Sequence, residues 1–307
     1  MTLYPPLDCR WHAWLPVGQG HELYVEESGN PEGQPVVVLH GGPGGGCSPY
    51  LRRFFDPQHF RIILFDQRGA GRSRPLASIT DNDTERLLGD LEVLRRHLKV
   101  DRWLLFGGSW GSTLALAYAS RFPAAVAGMV LRGIFLCRPQ DLDWLYQPFG
   151  AARLFPEGWQ QLLSQAPPGQ GSVLSRYYQG LQGDQARHYA RPWCNWESLL
   201  AASPLAPEGK GSDDELCMAR QETHYFMHGG YLARPLLEAC RGLAMPVEIV
   251  HGRQDFVCPA DQALALHGVL TNSHLDWVEQ GGHSSADPAI AAALLAAVKR
   301  MTNRMIA

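Results

Sequence analysis

The chain has 307 residues, of which 45% are hydrophobic and 19% charged. This length and composition fit a globular protein with a substantial core, built as one large domain or as a domain with a sizeable insertion. A formal net charge of −3 excludes a broad electrostatic attraction to nucleic acid or to anionic membranes. Seven cysteines without a C-x-x-C pair indicate neither a disulfide framework nor a zinc site, and we predict no metal and no cofactor.

The first residues show no basic segment followed by an apolar run, and no stretch of the sequence is continuously apolar over about 18 residues. A secretory signal peptide and a transmembrane helix are therefore not expected. We predict a cytoplasmic protein with no membrane partner and no nucleic-acid partner.

Short apolar runs alternate with helical patterns up to about Phe135. We predict strands at residues 23–27, 36–39, 61–65, 103–106 and 126–131. Leucines at helical spacing indicate a helix capped by Asp83 or Thr84, and a second helix is predicted from residue 112 to 121. Apolar strands that alternate with helices are typical of a parallel sheet covered on both faces.

The alternation stops after Phe135 and resumes near Val247. Residues 138–242 are rich in tryptophan and tyrosine, are interrupted by proline and glycine, and show no clear strand. We interpret them as a helical cap inserted into an α/β core of residues 1–137 and 243–307, with ordinary helical packing as the plainer alternative. Strands at residues 247–250 and 275–278 and helices at residues 261–268 and 288–301 complete the predicted core.

A G-x-S-x-G motif occupies residues 107–111, between a predicted strand and a predicted helix. In this context the serine sits on a sharp turn that exposes its hydroxyl, and the glycines leave room where the strand and helix backbones nearly touch. Ser109 is therefore a candidate nucleophile. The motif alone also occurs by chance in many chains, so the interpretation depends on partner residues.

Two later loops supply these partners. Asp255 follows the strand predicted at residues 247–250, and His283 follows the one at residues 275–278. This is the chain order of the triad in α/β hydrolases, and sites of open α/β sheets form at the carboxyl ends of strands. We assign Ser109 as nucleophile, His283 as general base and then acid, and Asp255 as the group that orients the imidazole. Taken singly, Asp255 could cap a helix and His283 could be a surface-loop residue.

A glycine-rich loop at residues 40–46 follows another predicted strand. Such H-G-G loops supply one backbone N–H to an oxyanion hole, and the residue after the nucleophile supplies the other, so we assign these donors to Gly42 and Trp110. A phosphate-binding loop is disfavoured because no Lys-Ser/Thr pair follows the glycines. We predict a structural role for residues 66–73, whose charges would bridge the loops around Ser109.

The wider sequence around these motifs resembles the prolyl aminopeptidase (proline iminopeptidase) family of α/β-hydrolase serine exopeptidases. Segments similar to that family run along nearly the whole chain: HGGPG at residues 40–44, DQRGAGRS at 66–73, GGSWGSTLALAY at 107–118, LRGIF at 131–135, WCNWE at 193–197, ARQE at 219–222, HYF at 224–226, HGRQD at 251–255 and GGHS at 281–284. The resemblance implies an α/β-hydrolase core, with a mostly parallel sheet flanked by helices, and an inserted, mainly helical cap. It further implies an enzyme that releases an N-terminal proline from small peptides.

The resemblance also implies a site for the free N-terminus of the peptide, and it places Glu197 and Glu222 there. The α-ammonium group is largely charged near neutral pH, so a carboxylate in a partly desolvated pocket can pair with it. The ordinary alternative is that both glutamates are solvated charges on helix faces. Arg132 is expected to pair with one of them.

A pyrrolidine ring is compact and apolar, so its pocket needs apolar walls. Phe135 is the first candidate for this pocket, with Trp110 and Tyr146 behind it. Leu145 stands where a member of the family carries an aromatic residue, and residues 151–185 match no segment of the family. Substrate length and tolerance for other N-terminal residues therefore stay open, as does the oligomeric state.

Two other functions stay open as well. An esterase or amidase of small acyl groups could use the same residues, because fold and nucleophile do not fix the substrate. A hydrolase-like binding protein without catalysis ranks last, because such a protein usually lacks a member of the triad and this sequence contains all three.

Overall fold

The computed structural model describes residues 2–202 and 211–306. Its sheet has eight strands: β1 (Trp11–Gly18), β2 (His21–Gly29), β3 (Gln34–Leu39), β4 (Phe60–Phe65), β5 (Trp103–Ser109), β6 (Val126–Ile134), β7 (Val247–Gly252) and β8 (Ser273–Val278). Their spatial order is β1-β2-β4-β3-β5-β6-β7-β8. β2 is antiparallel to β1 and to β4, and the other neighbours are parallel. The predicted mostly parallel sheet is confirmed.

The structure describes ten α-helices, numbered here in chain order. They are α1 (Thr84–His97), α2 (Trp110–Arg121), α3 (Pro139–Tyr146), α4 (Pro156–Ser164), α5 (Val173–Gly180), α6 (Ala186–Leu200), α7 (Asp213–Met227), α8 (Leu236–Ala239), α9 (Asp261–Val269) and α10 (Pro288–Ile306). The side chain of Asp83 accepts a hydrogen bond from the backbone N–H of Arg86, so Asp83, and not Thr84, caps α1. None of the helices among the described residues is long and apolar enough to cross a membrane.

Apolar side chains cover both faces of the sheet. On one face α1, α2 and α9 pack against inward-facing residues such as Val37 and Leu105, and on the other α10 packs against residues such as Val38 and Val250. Val37 and Val38 are neighbours in β3, point to opposite faces of the sheet and are both buried. Burial on both faces explains the continuous apolar run in the sequence of this strand.

Residues 138–242 supply α3 to α8, between β6 and β7, and every regular element that the structure describes in this stretch is helical. α6 packs against α4, α5 and α7. Aromatic rings hold these helices together: Trp159 and Trp196 lie 5.5 Å apart between ring centroids, and Tyr177 and Trp193 lie 5.3 Å apart. The exact limits of a separate cap domain stay a prediction.

Strand β1 was not predicted from the sequence. It forms the edge of the sheet, and most of its side chains are exposed or half-buried, so it lacks the apolar run that marks the inner strands. β5 and β6 are longer than predicted and end at Ser109 and Ile134. Both extensions lead the backbone directly into the site described next.

Candidate active site

Ser109 is the last residue of β5 and directly precedes α2. Its backbone angles, φ 56° and ψ −128°, lie in a region that residues other than glycine rarely adopt. A Cβ on Gly107 would collide with the carbonyl oxygen of Gly111, and a Cβ on Gly111 would collide with that of Leu39. The local backbone is therefore the sharp strand-to-helix turn that the G-x-S-x-G motif predicts.

His283 and Asp255 form a tight hydrogen-bonded pair beside this turn. Nδ1 of His283 lies 2.9 and 2.8 Å from the two carboxylate oxygens of Asp255. Asp255 also accepts the backbone N–H groups of Val257, at 3.0 Å, and Cys258, at 2.8 Å. Burial opposes ionisation of Asp255, but His283, His251 and the N–H of Cys258 outweigh burial and lower the pKa of the carboxyl. Asp255 thus holds the imidazole by Nδ1, and Nε2 is left for a reacting group.

One cavity of about 310 Å³ collects most of the predicted site residues. Its walls include seven of them: Gly42, Ser109, Arg132, Phe135, Glu197, Glu222 and His283. Asp255 lies behind His283, and Tyr146 lies behind Glu197. The fully buried Trp110 is the first residue of α2, where backbone N–H groups have no partner within the helix.

The glycine-rich loop lies directly against Ser109. A Cβ placed on Gly41 would be 3.3 Å from the Cβ of Ser109 and 3.9 Å from its Oγ. Gly42 has φ 106°, a conformation that favours glycine, and a Cβ there would be 2.7 Å from the backbone nitrogen of Gly44. The backbone of the loop therefore lies directly against the Ser109 side chain, where the sequence predicts an oxyanion hole.

Glu197 on α6 and Glu222 on α7 line the same cavity, each held by a neutral donor. The Tyr146 hydroxyl donates to Glu197 Oε1 at 2.6 Å, and the Trp193 indole N–H donates to Glu222 Oε2 at 2.6 Å. The rings of Tyr146 and Trp193 stack with 4.7 Å between their centroids. Because each stacked ring donates to one carboxylate, the rings hold Glu197 and Glu222 at the same end of the cavity.

The two carboxylates carry unbalanced negative charge when ionised. Burial raises the pKa of Glu197 to about 7, and burial together with the charge of Glu197 raises the pKa of Glu222 well above its usual value. Within residues 2–202 and 211–306, no lysine, arginine or histidine forms an ion pair with either of them. Because a buried carboxylate without a cation is costly, this end of the cavity is suited to a cationic ligand.

Arg132 does not pair with Glu197 or Glu222, so that expectation was wrong. Its guanidinium donates to the backbone carbonyl of His283 and lies so close to Gly108 that a Cβ there would collide with it. Burial lowers the pKa of Arg132, while the charge of Asp255 opposes the shift. Arg132 lies opposite Gly108 of β5, and from there its guanidinium reaches the His283 loop.

An apolar wall joins the two ends of the cavity. Phe135 meets Phe226 edge to face, with 5.6 Å between ring centroids, and Tyr146 lies 5.9 Å from Phe226. Sequence reasoning missed several wall residues, namely Leu145, Ser198, Ala201, Met218, Phe226 and Val257. A signal existed for two of them, because Met218 and Phe226 lie four residues before and after Glu222 and so share its helix face.

The loop at residues 66–73 bridges its neighbours as predicted. Asp66 accepts the backbone N–H of Cys47 at 2.7 Å and pairs with Arg72 at 2.8 Å. Arg68 is held by both carboxylate oxygens of Asp90, at 2.6 and 2.7 Å. These bonds tie the end of the glycine-rich loop and α1 to the carboxyl end of β4.

Asp255, Cys258 and His283 form a group of potential metal ligands, because their ligand atoms all lie within 4.8 Å of one another. However, Asp255 and His283 bond directly to each other. Burial also raises the pKa of Cys258 well above its usual value, so the thiol holds its proton rather than offering a thiolate. These donors fit a hydrogen-bonded triad better than a metal site.

The class of protein follows from the fold and from a family comparison. Residues 34–287 match the family model of the α/β-hydrolase fold. Among solved structures, a proline iminopeptidase-related protein from Thermus thermophilus matches with a TM-score of 0.64 and 25% identity, over 96% of this chain and 98% of that one. An esterase from Rhodococcus matches with a TM-score of 0.62 at 19% identity, over 98% of this chain and 100% of that one, which shows the shared fold alone.

Curated relatives narrow the class. A probable proline iminopeptidase from Leptolyngbya boryana is 45% identical over 97% of this chain and 96% of its own length. A proline iminopeptidase from Xanthomonas citri is 45% identical over 94% of this chain and 95% of its own length. The chain belongs to the proline iminopeptidase family of α/β hydrolases. The family, the fold class and the enzyme class predicted from the sequence are thereby confirmed, and peptides are the substrate class.

Proposed function

We propose that this chain releases an N-terminal proline from small peptides through an acyl-enzyme formed on Ser109. The observation that carries the proposal is the pair of carboxylates, Glu197 and Glu222, which no cation of the described residues balances and which share a cavity with Ser109 and His283. A free α-ammonium group supplies the missing positive charge, whereas an internal residue of a peptide offers none. The cytoplasmic location stays a prediction.

In the proposed reaction the Ser109 hydroxyl attacks the carbonyl carbon of the N-terminal residue. His283 takes the hydroxyl proton at Nε2, and Asp255 stabilises the imidazolium through Nδ1. The backbone N–H groups of Gly42 and Trp110 hold the oxyanion, each contributing about 3 kcal/mol of transition-state stabilisation. His283 then protonates the departing amine, and the shortened peptide leaves.

In deacylation His283 again acts first as a base and then as an acid. Water attacks the ester of Ser109, and His283 accepts the water proton as the second tetrahedral intermediate forms. When that intermediate collapses, His283 returns the proton to the Ser109 oxygen. The products are free proline and the enzyme in its starting state.

Recognition of proline combines charge with ring shape. The charged nitrogen of an N-terminal proline carries two N–H groups, one for each of Glu197 and Glu222. The methylenes of its ring need no polar partner and suit the wall formed by Phe135 and Phe226. A primary ammonium has a third N–H, which the apolar wall would leave unsatisfied.

A matched pair of substrates tests this proposal. Proline 4-nitroanilide and its N-acetyl derivative differ in whether the nitrogen carries a charge. We expect kcat/KM to be about 100-fold or more higher for the free amine, since each of the two proposed hydrogen bonds to the charged nitrogen contributes about 1.5–3 kcal/mol. Equal rates for the two compounds would contradict recognition of the ammonium group, and much faster turnover of a simple aryl ester would favour the esterase alternative.

The Ser109→Ala variant tests the nucleophile in the same assay. We expect a loss of about 10⁶-fold in kcat, because the triad acts as a unit. Its circular dichroism spectrum and affinity for pyrrolidinium, a cation that fits the carboxylate end, should match those of wild type. Residual turnover near the wild-type rate would exclude an acyl-enzyme on Ser109.

A further inference from the structure

Gln67 connects the two segments that carry the assigned oxyanion donors. The residue follows β4 and is 1% exposed. Its side-chain amide donates from Nε2 to the backbone carbonyl of His40 at 2.9 Å, and its Oε1 accepts the indole N–H of Trp110 at 3.1 Å. One amide thus spans the start of the glycine-rich loop and the first residue of α2.

The backbone of Gln67 fixes the tautomer of His40. Its N–H donates to His40 Nε2 at 2.9 Å, so Nε2 is an acceptor and the proton resides on Nδ1. Nδ1 lies 2.9 Å from the carbonyl oxygen of Gly41 and therefore donates to it. Burial lowers the pKa of His40, which favours this neutral form.

The carbonyl of Gly41 belongs to the same peptide unit as the N–H of Gly42. Besides the bond from His40, it accepts the backbone N–H of Gly45 at 3.2 Å. Because a peptide unit is planar, two bonds that hold this carbonyl also fix the direction in which the N–H of Gly42 points. The glycines of the loop have no side chains that could provide this restraint.

We propose that Gln67 is a positioning residue that, together with His40, aligns the N–H groups of Gly42 and Trp110 for the oxyanion. The role rests on the proposed function, because it presumes that an oxyanion forms beside Ser109. Gln67 orients the Gly42 peptide through His40, and it holds the Trp110 residue by its indole. It touches no reacting atom.

Two variants of Gln67 separate alignment from simple packing. Gln67→Leu removes both side-chain bonds at similar volume. Gln67→Glu keeps an acceptor for the Trp110 indole and loses the donor to His40. Asn82→Leu is the matched control, since Asn82 is a buried amide that donates to the carbonyls of Arg68 and Ser78 and makes no bond to the glycine loop.

The readout compares transition-state affinity with ground-state affinity. For the Gln67 variants we expect kcat on proline 4-nitroanilide to fall roughly 10- to 100-fold, below the effect of losing a whole oxyanion donor. The inhibition constant of a prolyl boronic acid, which forms a tetrahedral adduct on serine, should rise by a similar factor. KM and the inhibition constant of pyrrolidinium should stay within about twofold of wild type, and Gln67→Glu should be the milder variant.

Other outcomes overturn the proposal. If Gln67→Leu and Asn82→Leu lower the melting temperature alike and neither changes kcat, Gln67 only stabilises the fold. If kcat and pyrrolidinium affinity fall together, the whole cavity is disturbed. If Gln67→Leu does not fold, Gln67→Glu decides alone, and an unchanged kcat in that variant counts against alignment.

A second substrate separates this proposal from the proposed function. Hydrolysis of 4-nitrophenyl acetate needs the same oxyanion donors but no ammonium group. If wild type cleaves the ester and not proline 4-nitroanilide, the proposed function fails, while ester turnover still shows whether Gln67 aligns the donors. If wild type cleaves neither compound, both proposals fail.

Discussion

The two ends of the cavity differ in how completely they are satisfied without substrate. At the Ser109 end, Asp255 holds the imidazole of His283 and is itself held by backbone N–H groups. At the glutamate end, Glu197 and Glu222 each receive one neutral donor, and no lysine, arginine or histidine of the described residues pairs with either carboxyl group. The groups proposed to react are thus held in place before substrate binds, whereas the carboxylates proposed for recognition would be balanced only by a ligand.

This difference separates two sources of free energy. A preorganised triad and oxyanion hole stabilise the transition state without reorganisation, so they act on kcat. An unbalanced carboxylate pair becomes favourable only when a cation arrives, so it acts on binding. The proposed division follows the chain: Ser109 at the end of β5 and the loops after β7 and β8 carry the candidate reacting groups, and α6 and α7 carry the glutamates.

The largest expected effect lies at the preorganised end. In Asp255→Asn the side-chain amide can no longer stabilise the imidazolium and favours the wrong tautomer of His283, so kcat should fall about 10⁴-fold. Calorimetric titration with pyrrolidinium should give an affinity within about twofold of wild type. A parallel loss of pyrrolidinium affinity would show that the two ends are not separate.

A smaller effect is expected at the recognition end. Glu222→Gln and Glu197→Gln should each lower kcat/KM for proline 4-nitroanilide roughly 10- to 100-fold, because a charged hydrogen bond contributes about 1.5–3 kcal/mol. Slow turnover of the N-acetyl derivative should be unchanged. Glu215→Gln is the control, since Glu215 lies on the same helix but pairs with Arg191. An unchanged preference between the two substrates in both active-site variants would remove these glutamates from recognition.

A further effect concerns stability and pH. The folded-state pKa of Glu197, about 7, lies above the ordinary value of 4.5, so its contribution to stability is fully present below pH 4.5 and is lost as the pH rises to about 7. The slope is at most about 1.4 kcal/mol per pH unit for each proton involved. Thermal unfolding between these limits should show the decline, and Glu197→Gln should flatten it.

The ligand provides the control for this titration. Saturating pyrrolidinium should raise the melting temperature of wild type more at the upper end of the pH range than at the lower, because only the ionised carboxylates attract it. A gain in melting temperature that is independent of pH would contradict ionised carboxylates as its binding site.

The candidate triad could be predicted from sequence because each member follows a segment recognisable as a strand, although β8 is less apolar than the inner strands. Ser109 and His283 then line one cavity, with Asp255 bonded to His283, because parallel strands bring their carboxyl ends to one edge of the sheet. The spacing of Gly107 and Gly111 around Ser109 likewise reports a close backbone approach that the structure contains.

Side-chain contacts between segments that are distant in sequence could not be predicted in this way. The partner of Arg132 depends on the register between β5 and β6, which places it beside Gly108 and under His283. Helical spacing places Phe226 on the same face as Glu222, but the packing of α7 that brings this side chain against Phe135 is not specified by any local pattern. The role proposed for Gln67 depends on three segments that are distant in sequence.

A consequence of the shared cavity concerns the backbone of the substrate rather than its side chain. In an α-amino acid the nitrogen and the carbonyl carbon are two bonds apart, or about 2.5 Å. In the proposed function Glu197 and Glu222 bind the nitrogen while Ser109 attacks the carbonyl carbon. The distance between the helical insertion and the sheet would then select the spacing of these two substrate atoms. A β-amino acid has one more backbone methylene, so its carbonyl carbon would lie out of position for attack by Ser109 even when the ring and the charge are kept.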